Sequence, residues 1–272
     1  MPPSAHALSP TLDAIPGVPG RDAPPADPPP ALQFAGVAIT ETGSFPPPAA
    51  ASCWIYLTLN AEIALSLPRN PTLQALVQQP RARVSVDGQW LWWALRRKYP
   101  QQALRKLSGS DLIHTLARHC AAHGQRLLLL GSHAEANALA VMRLREQHPS
   151  LQLAGFAPAP YRLDRVDEER AAHRAALEAI GAFEPDYVVL GLGADKEQRL
   201  CADLAPRLDG RVQGLLCFGG AIDMLSGRVR RAPRWMQQCG LESVYRVWEQ
   251  PSRLPRWLRS LKLLPLLAAG RY

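Results

Sequence analysis

One carboxylate stands where chemistry on a bound ligand would need it. Asp87 follows the apolar run Arg83-Val84-Ser85-Val86 and precedes Gly88. A carboxylate at the carboxyl end of a strand faces whatever binds above the sheet and can take a proton from a hydroxyl. The same aspartate can instead serve only its own turn, by bonding to its backbone. Three further turns, Gly131-Ser132, Gly193 and Gly219-Gly220, also close apolar runs. Without a Cβ, such turns let a phosphate or sugar approach the backbone, although a glycine also simply ends a strand. None of them forms GxGxxG or GxxxxGK[ST], which argues against a dinucleotide oxidoreductase and a nucleoside triphosphatase.

Cations supply the second chemical signal. The chain has a formal net charge of +8, and residues 228–271 are crowded with arginine against only two acidic residues, Glu242 and Glu249. That asymmetry calls for an anionic partner, a phosphate group or an anionic membrane surface. Nucleic acid is disfavoured, because zinc-finger spacing and a helix-turn-helix or ribonucleoprotein signature are missing. His119 and His123 share a helix face, but no HExxH or carboxylate partner accompanies them, so no metal site is assigned. The five cysteines lack CxxC spacing and their odd number leaves one unpaired, which suits a reducing cytoplasm.

These groups need a scaffold, and the pattern supplies one. From residue 124 onward short apolar runs alternate with helical patterns, as in βαβ units around a parallel sheet. Strands are expected at 126–130, 151–155, 187–192 and 214–218, with helices at 134–147 and 166–180 between them. Upstream, 54–60 reads as a strand opening into a helix at 61–67, and 83–86 as a further strand. The expected fold is therefore α/β, a Rossmann-like parallel sheet flanked by helices with a basic C-terminal helical appendage. Half of the 26 prolines precede Ala50, so residues 1–33 are expected to be a disordered Pro-rich head. That head lacks the basic start and apolar stretch of a secretion signal. The core then covers 34–245 and the appendage 246–272. No window reaches the roughly 20 apolar residues that span a bilayer. In the appendage, Trp248, Trp257, Leu258, Leu261, Leu264 and Leu267 form an apolar stripe among cations, as an interfacial helix would, or as packing on the protein's own core would.

Read together, the turns resemble the WecG/TagA/CpsF glycosyltransferases, a family that adds N-acetylmannosamine-type or related sugars to lipid-linked precursors of bacterial surface polymers. The match is carried by Thr58-Leu59-Asn60-Ala61-Glu62, Asp87-Gly88, Leu107-Ser108-Gly109-Ser110-Asp111-Leu112 and Leu129-Leu130-Gly131-Ser132. It continues through Glu184-Pro185-Asp186, Gly191-Leu192-Gly193 and Gly219-Gly220-Ala221-Ile222-Asp223. Its longest block is Ser226-Gly227-Arg228-Val229-Arg230-Arg231-Ala232-Pro233-Arg234-Trp235, followed by Gly240-Leu241-Glu242 and Tyr245-Arg246. The pieces stand in family order over about 35–259. Two positions depart from the pattern: the usual Pro-Lys-Gln-Glu is Asp195-Lys196-Glu197-Gln198 here, and the tryptophan after Gly-Leu-Glu is Ser243.

The resemblance implies an inverting transferase that moves a sugar from a UDP-sugar to a polyprenyl-diphosphate-linked acceptor. It would need no cofactor and would work at the cytoplasmic face of the plasma membrane; a homo-oligomer is compatible with it. It makes Asp87 the base, with Thr58 and Asn60 lining the same pocket. The substrate-binding set it implies adds Arg105, Gly131, Gly193, Glu197, Gln198, Gly219, Asp223 and Arg231. Without an Asp-x-Asp motif for a donor metal, arginines are left to hold the departing diphosphate, which guanidinium groups bind in bidentate fashion. Arg246, Arg253 and Arg256 of the appendage match the family positions for that role. Membrane attraction is an equal explanation for Arg253 and Arg256, and the favoured one for Arg259, Lys262 and Arg271.

Overall fold

The computed structural model describes residues 32–41, 45–47 and 52–270. Apart from Leu32 and Gln33, the proline-rich head lies outside them. Leu32 is already buried, and a short antiparallel pair follows, β1 (Gln33–Phe34) with β2 (Val37–Ala38). The main sheet is built from β3 (Trp54–Leu59), β4 (Ala82–Val86), β5 (Arg126–Gly131), β6 (Gln152–Phe156), β7 (Tyr187–Gly191) and β8 (Gly214–Cys217). Their order is β4-β3-β8-β7-β5-β6, and every pairing is parallel.

Helices fill the crossovers. They are α1 (Ala61–Ser66), α2 (Pro71–Val77), α3 (Gln89–Lys98), α4 (Gly109–His123), α5 (Ala134–Gln147) and α6 (Val166–Phe183). After them come α7 (Ala194–Leu204), α8 (Ala221–Leu225), α9 (Arg234–Gln238), α10 (Glu242–Glu249), α11 (Leu254–Ser260) and α12 (Leu263–Ala268). A strand covered on both faces can be apolar throughout, and all six residues of β3 are buried. Trp54 and Tyr56 pack with Ile113 and Leu116 of α4, Leu144 of α5 and Ile222 of α8. Their neighbours Ile55 and Leu57 point the other way, into a cluster with Leu73 of α2, Ile180 of α6 and Leu200 of α7. This is the expected α/β architecture, a parallel sheet between two helical layers.

The ends of β5 and β7 approach closely. Gly131 pairs with Gly191 and has φ +117°, and a Cβ there would stand 2.7 Å from the carbonyl carbon and oxygen of Gly191. Gly131→Ala should therefore cost at least about 2 kcal/mol through backbone strain and crowding together. Thermal unfolding would register that as a fall of roughly 4–8 °C for a chain of this size.

The C-terminal stretch differs from the single stripe expected of it. Pro251 and Pro255 stand at helix starts, so the segment is broken into α10, α11 and α12, and each restarts its own helical phase. Leu263 is buried in the core beside Leu91 and Leu95 of α3, and Leu267 packs against the same cluster. Trp248 and Leu258 remain exposed, at 80% and 52%. The anticipated interfacial face is thus divided between the protein's own interior and its surface. No helix among the described residues is long and apolar enough to cross a membrane.

Candidate active site

Because the strands are all parallel, the residues that follow them meet at one edge: Asn60 after β3, Asp87 after β4, Ser132 after β5, Gly193 just past β7 and Gly219 just past β8. Ligands bind at such an edge where neighbouring connections diverge. There, α10, α11 and α12 fold over α1, the Asp87 turn and the start of α3, lining a half-open cavity of about 260 Å³.

Asp87 lies in the cavity wall. Its N–H continues the ladder by donating to the Leu59 carbonyl at 2.8 Å, and Oδ1 accepts the Gly88 N–H at 2.8 Å. Oδ2 receives no hydrogen bond from the described residues. One oxygen thus braces the turn, and the other is free of such a bond. Burial, and next the negative charge of Glu242, push its pKa above the usual carboxylate value; Arg246, the Gly88 N–H and Lys106 pull the other way. A carboxylate so placed is a stronger base than one in water.

Three arginines face it across the cavity: Arg246 from α10, Arg253 just before α11 and Arg256 within α11. Among the described residues Arg246 has only the Met224 sulfur for a partner, at 3.3 Å from Nη2, while its buried Nε has none. Arg253 bonds through Nε to the Gln250 side chain, and its guanidinium would come within 3.9 Å of a Cβ on Gly220. Burial, followed by the charges of Arg246 and Arg256, lowers its pKa from the ordinary arginine value. Arg256 has Glu62 at 3.5 Å, both side chains largely exposed. Clustered cations that repel one another while polar N–H groups go unmet form a receptor for an anion.

The other residues expected from the sequence take varied places. Asn60 borders the cavity and caps α1, its Oδ1 accepting the Ile63 N–H at 3.0 Å. Thr58 is buried below it, its hydroxyl 3.5 Å from the Cys217 carbonyl. Arg105 is exposed; neither it nor the neighbouring half-buried Lys106 lines the cavity, but the Lys106 charge acts on Asp87. Successive side chains alternate along an extended segment, and Lys106 pairs with Val86 in parallel bridging, with its ammonium 3.1 Å from the Gln89 side chain. Lys106 and Glu242 are the two charged neighbours of Asp87 that sequence reasoning passed over. The register of the segment before Ser108 could have singled out Lys106, and Glu242 was signalled as one of two acidic residues in a basic tail and by the Gly240-Leu241-Glu242 piece. Arg231 is spent on Asp111 in a bidentate pair, with Nη2 to Oδ2 at 2.7 Å, bracing the start of α4. Asp223 accepts the Ser132 hydroxyl and so ties the β5 turn to α8.

Glu197 and Gln198 sit behind the glycine turns rather than in the cavity wall. Glu197 Oε1 accepts the N–H groups of Leu192 at 2.9 Å and Gly193 at 3.2 Å, and Oε2 accepts that of Gly219 at 3.3 Å. One carboxylate thereby holds two phosphate-sized turns at fixed separation. Gln198 takes its bond from Asn70, at 2.8 Å. Burial outweighs those three N–H bonds and raises the Glu197 pKa to about 7 from 4.5. A raised folded-state pKa means that its contribution to stability is complete below about 4.5 and is lost as pH rises through about 7. Glu197→Gln cannot ionise, so across that window the wild type should lose on the order of 3 kcal/mol more stability than the variant. Parallel denaturant titrations at several pH values would check this, and parallel curves for the two proteins would refute it.

The assembled groups offer a proton acceptor, a cationic receptor and glycine-lined turns on one edge. That set suits displacement at a carbon whose leaving group is a phosphate or diphosphate, with a hydroxyl as nucleophile. Among the described residues no group of three or more His, Cys, Asp or Glu is arranged to hold a metal ion. In comparison with known proteins, the family model described as "Glycosyl transferase WecG/TagA/CpsF family" matches residues 49–271, which include every side chain of this site.

Proposed function

The chain belongs to the WecG/TagA/CpsF family of glycosyltransferases, and from that membership and the cavity we propose that it moves a sugar from a UDP-sugar to a lipid-diphosphate-linked acceptor. The observation that carries this reading is the shared wall of Asp87, Arg246 and Arg253 around one cavity. In the proposed step Asp87 Oδ2 takes the proton of the acceptor hydroxyl. The freed oxygen bonds to the anomeric carbon from the face opposite the nucleotide. The bond from that carbon to the diphosphate oxygen breaks, its electron pair leaving with UDP, and the arginines meet the growing negative charge. Direct displacement of this kind inverts the anomeric centre. Arginines would do the work that a divalent cation does elsewhere, so activity should persist in a chelator.

The acceptor lies in a membrane by this reading, and the chain would reach it from the cytoplasmic face. Support comes from the net charge of +8 and from exposed Trp248 and Leu258 beside the exposed cations Arg259 and Lys262. The sugar is N-acetylmannosamine, its uronic acid or a hexose such as glucose, within bacterial surface or exopolysaccharide synthesis. A panel of radiolabelled nucleotide-sugars, incubated with the enzyme and isolated bacterial membranes, tests the proposal. One donor should pass label to the organic-extractable lipid fraction. Label reaching no lipid with any donor would count against it.

A further inference from the structure

We propose that the apolar cavity wall built where α12 packs on α3 seats the first hydrocarbon units of the lipid acceptor, which then leaves the cavity past Trp90. This rests on the glycosyl-transfer reading and adds a specific site to it. The cavity has two unlike walls. Its cations are placed by α11, which packs on α1, and by the segment that brings Arg253 close to Gly220. The opposite wall is set by α12 packing on α3 and is formed by Leu91, Leu261, Leu264 and Leu267. A nucleotide or a water-soluble sugar phosphate would satisfy only the first wall. An acceptor that carries a hydrocarbon chain covers the second, while the first stays with the donor's diphosphate.

The apolar wall also has a way out. Trp90 borders the cavity while 44% exposed, its ring fixed by an Nε1 hydrogen bond to the Gly240 carbonyl at 3.0 Å. Trp93, 40% exposed, meets it edge to face at 5.4 Å between centroids and carries the apolar surface outward. The exposed Arg96 and Arg97 follow on the same helix, where cations would meet the headgroups of an anionic bilayer. Two large aromatic rings held in the open at a cavity's edge are costly to leave in water and cheap to place against hydrocarbon.

The test uses one diphosphate-linked sugar acceptor made with a methyl group, a ten-carbon isoprenoid or a longer isoprenoid chain, at saturating donor and in one fixed detergent. For the wild type, kcat/KM should rise about tenfold or more from methyl to ten carbons, chiefly through acceptor KM. Leu264→Gln and Trp90→Ser should each shrink that ratio toward one, with the donor KM unmoved. Equal kcat/KM for the methyl and ten-carbon acceptors in the wild type would overturn the seat while leaving glycosyl transfer standing, and this comparison needs no variant. An undiminished ratio in both variants would also overturn it. Turnover of no acceptor at all would overturn the seat together with the reading beneath it.

Discussion

Asp87→Asn should lower kcat by about 10²–10⁴-fold, the usual contribution of a general base, and leave the fold intact. The amide has the size of the carboxylate and its oxygen can still accept the Gly88 N–H, so the turn survives while proton transfer does not. The pH profile identifies the same group. Activity should climb with pH as Asp87 loses its proton, and this limb should lie above the ordinary carboxylate range because burial and Glu242 raise the pKa. Removing the like charge with Glu242→Gln would move the limb to lower pH. An unmoved limb in that variant, or near-normal turnover in Asp87→Asn, would show that the proton goes elsewhere.

Arg253→Ala should cost about 10²–10³ in kcat, the scale seen when one preorganised donor to a developing anion is lost. Stability should move the other way or not at all. Arg253 is held among Arg246 and Arg256, whose charges disfavour its own, so its removal relieves repulsion in the unliganded protein. Activity and unfolding temperature measured on one preparation separate the two roles. A fall in unfolding temperature with kcat preserved would make Arg253 a brace between α11 and the β8 turn. Arg253→Lys should recover only part of the rate, since an ammonium cannot reproduce the paired donors of a guanidinium.

The sheet was legible in the sequence because buried parallel strands are apolar on both faces, and the runs at 54–59, 126–130, 187–191 and 214–217 have no other use. Asp87 was legible for a related reason: parallel strands put their carboxyl ends on one edge, so a carboxylate directly after β4 had to stand there. The C-terminal segment was harder. An apolar residue every three or four positions fits a lipid-facing helix and a core-facing one equally well, and only the tertiary contacts of Leu263 with α3 separate them. Pairings across long separations left no trace either. Arg231 meets Asp111 120 positions away, and Glu197 reaches Gly219 22 positions on. For that reason a residue pair implied as substrate-binding, Glu197 and Gln198, stands behind the turns, and Arg231 is committed to an ion pair. Arg105 stands exposed for a geometric reason, since side chains alternate along an extended segment and its neighbour Lys106 is the one whose charge acts on Asp87.

In the proposed step Asp87 acts on the acceptor's proton and never bonds to the sugar. Proton NMR of the first-formed glycosidic linkage, made from a donor of known anomeric configuration, tests this most directly. A single displacement predicts a product of wholly inverted configuration. Retained configuration would mean two successive displacements through a covalent sugar on the enzyme, and the carboxylate would then be a nucleophile rather than a base.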